Sequence, residues 1–221
     1  LILPTTSVIR SHVQRDHSRP ILQPTYSFDW IIGSDEAGAA HRLAQETSWA
    51  LLDRVRKGAD AAVVDRVVDL ASGSGIDDIA ELWAHQGAHS LAGVLWRLYL
   101  LRRVAAADPE GTADLFRRGA LASVTIDPAV AGAAEPVTPT SITELCETIL
   151  RGVFTGDLAV ALDRAASYCR ILSLGAADLA DDRDAHDDAH AAHLTTRSLR
   201  YSTLAHELHA GARRWRDGTL D

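Results

Sequence analysis

The sequence predicts an all-α protein, a multi-helix bundle with an extended N-terminal arm, and three observations support this fold class. Apolar residues recur at intervals of three and four from Ser34 onward, which is the period of an α-helix. Helix-capping residues stand between these periodic segments, and no alternating strand pattern competes after residue 33. With 221 residues, of which 47% are hydrophobic, the chain is long enough to bury a substantial core.

The N-terminal arm, residues 1–33, lacks a helical period and contains three prolines. Within it Tyr26, Phe28, Trp30 and Ile32 occupy alternate positions, which places them on one face of an extended segment. Such an apolar face needs a cover. The protein's own helices are the expected cover, and a second subunit or a partner protein is the alternative that would make this face an interaction surface.

The first three helices are marked by their ends. Ser34 is a suitable N-cap and is followed by two acidic residues, which the positive end of a helix favours, so the first helix is expected from Ser34 to about Lys57. Gly58 provides its stop signal. The apolar pattern predicts a second helix over residues 60–71 and a short third helix over residues 77–85.

The middle of the chain predicts two further helices and a connection. Ser90 caps a helix that runs to about residue 107, and the pair Asp108 and Pro109 closes it and opens the next, which reaches about residue 124. Residues 125–140 contain three prolines and are expected to form a connection. This connection divides the helical domain, residues 34–221, into two possible halves, 34–124 and 141–221.

The second half begins with a capping signal. Ser141 and Glu144 have the S-x-x-E spacing of a capping box, and the helix that follows should end near Gly152. Residues 157–217 then predict two long helices, with a break either near Gly175 or in the acidic run after it.

The charge and the cysteines narrow the class of protein. A net charge of −8 and the lack of a Lys/Arg cluster argue against nucleic-acid binding. The longest apolar run, residues 91–101, is interrupted by Arg97 and is too short to cross a membrane. Cys146 and Cys169 lie among apolar residues, so we expect buried free thiols and a reducing, cytoplasmic setting.

An unusual concentration of aspartate and histidine occupies residues 178–193. On one continuous helix, Asp182, His186, His190 and His193 would fall on a single face. Carboxylate and imidazole are ligands for zinc, iron or manganese, so these four residues are candidate ligands for a divalent metal. A solvated, compositionally biased helix face is the alternative interpretation, and it is the one that the repeated Asp and Ala residues favour.

Two other groups of residues are candidates for chemistry. The histidine pairs His85 with His89 and His206 with His209 have helical spacing, although surface or hydrogen-bonded structural histidines explain them as well. Six aromatic residues could line a ligand pocket between helices, and core packing is their expected use. They are Trp49, Trp83, Trp96, Tyr99, Phe116 and Trp215.

Four phrases of the sequence, residues 19–22 (RPIL), 26–30 (YSFDW), 95–100 (LWRLYL) and 150–157 (LRGVFTGD), resemble an uncharacterised family of actinobacterial proteins. The resemblance spans most of the chain. Some members of that family carry the label of RNA polymerase beta subunit, which this small acidic chain does not support because it lacks a metal-binding aspartate motif of polymerase type. The resemblance implies a lineage and no established activity.

The functional expectation follows from these observations. No nucleophile elbow, phosphate-binding glycine loop or dinucleotide fingerprint is present, which lowers the odds of an enzyme. The sequence therefore predicts a cytoplasmic helical interaction or assembly protein that self-associates and requires no cofactor. The alternative is a helical bundle that binds a metal or a small ligand through the Asp/His face of residues 182–193. Such a bundle could be a binding protein or an enzyme.

Overall fold

The computed structural model describes residues 29–58, 61–70, 77–184 and 186–221, and this part of the chain contains nine α-helices and no strand. The predicted all-α class is confirmed. The helices are α1 (Asp29–Gly58), α2 (Ala61–Leu70), α3 (Asp77–Ala84), α4 (Leu91–Ala107), α5 (Pro109–Ala122), α6 (Asp127–Ala131), α7 (Pro139–Thr155), α8 (Leu158–Asp184) and α9 (Asp188–Arg216). Residues 38–221 form one compact unit.

The start of α1 differs from the prediction. The helix begins at Asp29, five residues before Ser34, so the backbone at Trp30 and Ile32 is helical and not extended. A short run of apolar residues fits a helix as well as a strand, and the alternation in this segment did not discriminate between them. Tyr26 and Phe28 lie outside the described residues.

The capping signals around α4 and α5 are confirmed. The Ser90 hydroxyl accepts a hydrogen bond from the Gly93 amide at 3.1 Å and so caps α4. The Asp108 carboxylate accepts from the Gly111 amide at 2.9 Å, and Pro109 occupies the first turn of α5. Each cap satisfies an amide that has no partner within its own helix.

The connection over residues 125–140 contains the short helix α6, and α7 starts earlier than expected. The capping box is formed by Thr138 and Ser141, whose hydroxyls each accept from the other residue's amide, at 3.1 and 2.8 Å. The predicted box of Ser141 with Glu144 is wrong because Pro139 is tolerated in the first helical turn, which moves the N-cap three residues back. Helix α7 also continues beyond Gly152 to Thr155.

The break between the last two helices lies in the acidic run, which was one of the two predicted places. Helix α8 ends at Asp184 and α9 begins at Asp188. The Asp187 carboxylate caps α9 by accepting from the His190 amide at 3.0 Å. Gly175, the other predicted place, lies inside α8, which continues for nine residues beyond it to Asp184.

One hydrophobic core joins all parts of the compact unit. Helices α4 and α5, which precede the connection, share this core with α7 and α8, which follow it. Helix α8 is the central element, and its residues Leu162, Tyr168 and Leu172 have no solvent exposure. Cys146 and Cys169 are free and buried as predicted. Burial raises the pKa of the Cys146 thiol to about 11, which leaves it protonated and unreactive at neutral pH.

Two glycines allow α5 and α8 to pack backbone against backbone. A Cβ atom at Gly119 would lie 1.8 Å from the Ile171 carbonyl oxygen, and one at Gly175 would lie 1.8 Å from the Leu115 carbonyl oxygen. Neither distance is possible for real atoms, so only glycine fits at either side of this crossing. Gly175 therefore serves the contact between helices and does not interrupt α8.

Helix α6 is attached to α8 by two arginines. Arg170 donates from Nε and Nη2 to Asp127 Oδ1 at 2.9 and 2.7 Å. Thr125 donates its hydroxyl to Asp127 Oδ2 at 2.7 Å. Arg164 donates from Nε and Nη2 to the Ala131 carbonyl oxygen, both at 3.2 Å. The first and last residues of α6 are thus both bonded to α8 or to the chain beside it.

These contacts predict a pH-dependent contribution from Asp127 to stability. Burial alone would raise the pKa of this carboxyl, but hydrogen bonds from Arg170, Thr125 and Ser167 outweigh burial and lower it. The folded-state pKa lies below the value in the unfolded chain, which is about 4. The stabilisation is therefore present above that pH and is lost as the pH falls through the folded-state pKa.

We expect the Asp127→Asn variant to be about 1–2 kcal/mol less stable than the wild type at pH 7, because the amide loses the charge-assisted bonds from Arg170. The difference should narrow at about pH 3, because this pH lies below the unfolded-state pKa of about 4 and part of the charge-dependent stabilisation is lost there. Urea unfolding at both pH values measures it. Asp181→Asn is the control, because Asp181 is exposed. An equal loss for Asp127→Asn at both pH values would contradict the assignment.

Candidate functional site

Helices α4 and α9 run antiparallel and touch at one end. Val94 lies beside Gly211, where an added Cβ would come within 2.7 Å of Val94 Cγ1. One turn further along, Arg97 Nε donates to Glu207 Oε2 at 2.7 Å. The step from Val94 to Arg97 along α4 thus corresponds to the step back from Gly211 to Glu207 along α9, so the two helices run in opposite directions.

Beyond this contact the two helices enclose a groove, which we call the α4–α9 groove. Its volume is about 940 Å³. The α4 wall consists of Trp96, Arg97, Leu100, Leu101, Val104 and Ala107, and Asp108 and Ala84 lie beside it. The α9 wall consists of His193, Thr196, Arg197, Leu199, Arg200, Tyr201, Thr203, Leu204 and Glu207.

The groove is apolar at its base and open to solvent along its sides. Leu101 and Tyr201 are buried, with 3% and 6% of their surface exposed. Leu100 and Leu199 are 38% and 68% exposed. Leu100 and Leu199 extend the apolar surface of the base towards the rim, and an apolar surface rimmed by polar residues is typical of a binding site.

The end of the groove near Gly211 is closed by an ion pair whose charges cancel. Arg97 is only 14% exposed, and besides Glu207 its Nη1 donates to the Gly93 carbonyl oxygen at 2.8 Å. Both charged groups of this pair are therefore held by other atoms of the protein, and the closed end has no net charge.

The opposite end of the groove carries two arginines with different surroundings. Arg197 Nε donates to the Tyr201 hydroxyl at 3.1 Å, and its guanidinium lies over the Tyr201 ring at 5.6 Å. Burial raises the pKa of Tyr201, so the phenol stays neutral. Arg200 is exposed and forms no hydrogen bond or ion pair with the described residues. Asp108, also at this end, is the N-cap of α5.

The four candidate metal ligands do not share one helix. Asp182 is near the end of α8, His186 is in the turn, and His190 and His193 are on α9, and all four are exposed. Asp182 instead accepts from Arg118 Nη1 at 2.7 Å. In the part of the chain that is described, no three His, Cys, Asp or Glu side chains form a group that could hold a metal ion. The acidic run breaks the helix because Asp187 caps α9.

The remaining candidates are mostly structural. His209 Nδ1 lies 2.8 Å from Asp163 Oδ1, and His206 Nδ1 lies 2.7 Å from the Ser202 carbonyl oxygen. The aromatic residues divide between three settings. Trp83, Tyr99 and Phe116 are buried, Trp49 stacks on Trp215 at 5.8 Å, and Trp96 lines the groove.

The sequence contained a partial signal for this groove. One face of α4 carries four apolar residues spaced by four, four and three: Trp96, Leu100, Val104 and Ala107. This spacing is equally typical of a face that is buried in a core. Arg200 was not distinguished from the other surface arginines. The groove exists because α4 and α9 separate along their length, and this separation depends on tertiary contacts such as the one between Gly211 and Val94.

Comparison of this chain with models of known protein families, with curated proteins and with solved structures finds no match. Within the described ranges, no helix is long and apolar enough to cross a membrane.

Proposed function

We propose that this chain is a helical interaction protein and that the α4–α9 groove binds the apolar face of an amphipathic helix of a partner protein. The observation that supports the proposal is the groove, an apolar base between two helices with Leu100 and Leu199 exposed at its sides. Binding of a helix in a groove of this kind is a common mode of peptide recognition.

The dimensions of the groove suit a helix of about three turns. The α4 wall extends from Trp96 to Ala107, which corresponds to about 16 Å along a helix axis. A partner helix of this length presents three or four apolar residues on one face, spaced by three and four. The partner would then pack as a third helix against the two antiparallel walls.

The open sides favour a helix over a small apolar ligand. Sites for small ligands bury most of the ligand surface, typically about 70–90%. A chain of methylene groups in this groove would leave one side in water, since Leu199 at the rim is itself 68% exposed. An amphipathic helix would turn its polar face towards the open side of the groove, where contact with water costs no free energy.

A designed peptide tests the proposal. The probe is a fluorescently labelled helix of about fifteen residues, built from Ala, Gln and Lys with four leucines on one face. We expect saturable binding with a Kd in the range of about 1–100 μM, measured by fluorescence anisotropy. The control peptide has the same composition with its leucines distributed around the helix. Equal binding of the two peptides, or of neither, would rule the proposal out.

A further inference from the structure

The charged side chains that line the α4–α9 groove differ in whether their charge is satisfied. Arg97 and Glu207 pair with each other, and Arg197 binds the Tyr201 hydroxyl. Asp108 accepts from the Gly111 amide at the N-terminus of α5. Arg200 alone among these charged groups has no partner in the described part of the chain.

We propose that the partner helix carries a carboxylate at one end of its apolar face, and that this carboxylate pairs with Arg200. The inference rests on the proposed function of the groove. Arg200 lies toward the end that is remote from the Arg97–Glu207 pair, so the position of the carboxylate sets the direction in which the partner helix lies.

The two ends of the groove respond differently to such a carboxylate. At the closed end it would approach Glu207, whose charge repels it, while Arg97 is already held by Glu207 and the Gly93 carbonyl oxygen. At the other end it meets Arg200, with Arg197 three residues away on the same helix. Asp108 also lines this end, where its carboxylate accepts from the Gly111 amide, so the two arginines leave a net positive charge that the closed end lacks. Asp187 and Asp188 lie further along α9 and do not line the groove.

The preferred direction also agrees with the chemistry of the partner. Glutamate or aspartate in the first turn stabilises a helix through its dipole, so an acidic residue at the N-terminal end is common in amphipathic helices. A carboxylate there would bind Arg200 at an exposed site. Such pairs contribute modestly and are weakened by salt.

The test compares two peptides on three proteins. Both peptides carry the apolar face described above, and they differ only in Glu or Gln at the first turn. The proteins are the wild type, Arg200→Gln and Arg214→Gln. Arg214 is the matched control because it is exposed on the same helix and lies outside the groove. Binding is measured by fluorescence anisotropy at low and high salt.

We expect the Glu peptide to bind the wild type and Arg214→Gln about three-fold more tightly than it binds Arg200→Gln at low salt. The Gln peptide should bind all three proteins equally. Because Glu also stabilises the peptide helix, the double-mutant cycle is the informative quantity. The three-fold coupling should shrink as salt is added.

The outcomes separate this inference from the proposed function. If both peptides bind and their affinity ratio is the same on wild type and Arg200→Gln, the pairing with Arg200 is wrong and the groove function stands. If neither peptide binds, both proposals fail. A long-chain fatty carboxylate is tested in parallel, and its binding in place of the peptides would overturn both in favour of a lipid-type ligand.

Discussion

A Gly175→Ala variant is expected to be less stable than the wild type by about 3 kcal/mol. Its melting temperature should fall by about 6–12 °C, given the usual relation for a chain of this length. The added Cβ would lie 1.8 Å from the Leu115 carbonyl oxygen and 3.0 Å from the Gly119 amide nitrogen. Both are backbone atoms, so α5 and α8 must separate to make room.

The expected loss is a balance of two opposing effects. Alanine in a helix is favoured over glycine by about 1 kcal/mol, and this gain offsets part of the steric cost. Gly152→Ala is the control, because a Cβ there meets only the Ala161 Cβ at an ordinary 3.6 Å. We expect this control to be neutral or slightly more stable. Thermal unfolding followed by circular dichroism measures both variants, and equal stabilities would refute the close crossing.

A Leu100→Glu variant is expected to lose at least about ten-fold in affinity for the apolar-faced peptide. Leu100 lies in the α4 wall of the groove, so a bound helix would cover its side chain. A carboxylate covered by an apolar face loses water without gaining a partner, which is costly. The substitution should change the stability of the free protein by only about 0.5 kcal/mol, because Leu100 is already 38% exposed.

The control for Leu100→Glu is Leu121→Glu, since Leu121 is 90% exposed and lies outside the groove. It should bind the peptide as the wild type does. Fluorescence anisotropy gives the affinities, and urea unfolding checks that both variants fold. Unchanged binding by Leu100→Glu would place any peptide site elsewhere on the molecule.

Local signals in the sequence predicted those parts of the fold that depend on local chemistry. Ser90 and the pair of Asp108 and Pro109 marked helix ends correctly, because a cap acts on amides two or three residues away. Where two neighbouring residues are both suitable N-caps, the sequence does not show which of them caps the helix. The S-x-x-E spacing predicts Ser141 as an N-cap, but Ser141 is the third residue of α7 and Thr138 is in the capping position.

Glycine shows why tertiary features were harder to predict. Gly175 was one of two candidate helix breaks, because a glycine that ends a helix and one that admits a neighbouring backbone look alike in a single chain. The partner that distinguishes them is Gly119, which is 56 residues away in sequence. The metal hypothesis failed to gain support for a similar reason, since it required one continuous helix across Asp187.

The structure bears on only part of the predicted interaction role. The interaction role of Tyr26, Phe28, Trp30 and Ile32 stays a prediction, as does self-association. The groove instead supports interaction at a surface to which two of the sequence candidates, Trp96 and His193, contribute. It is formed by the separation of α4 from α9 beyond Gly211.

The volume of the groove has a thermodynamic consequence. A space of about 940 Å³ corresponds to on the order of thirty water molecules, at about 30 Å³ each. Water that fills this space would lie against leucine, valine and tryptophan side chains, and a bound helix would release it to bulk solvent. Release of water from apolar surface gives a negative change in heat capacity. The enthalpy of partner binding should therefore become steadily more negative as the temperature rises.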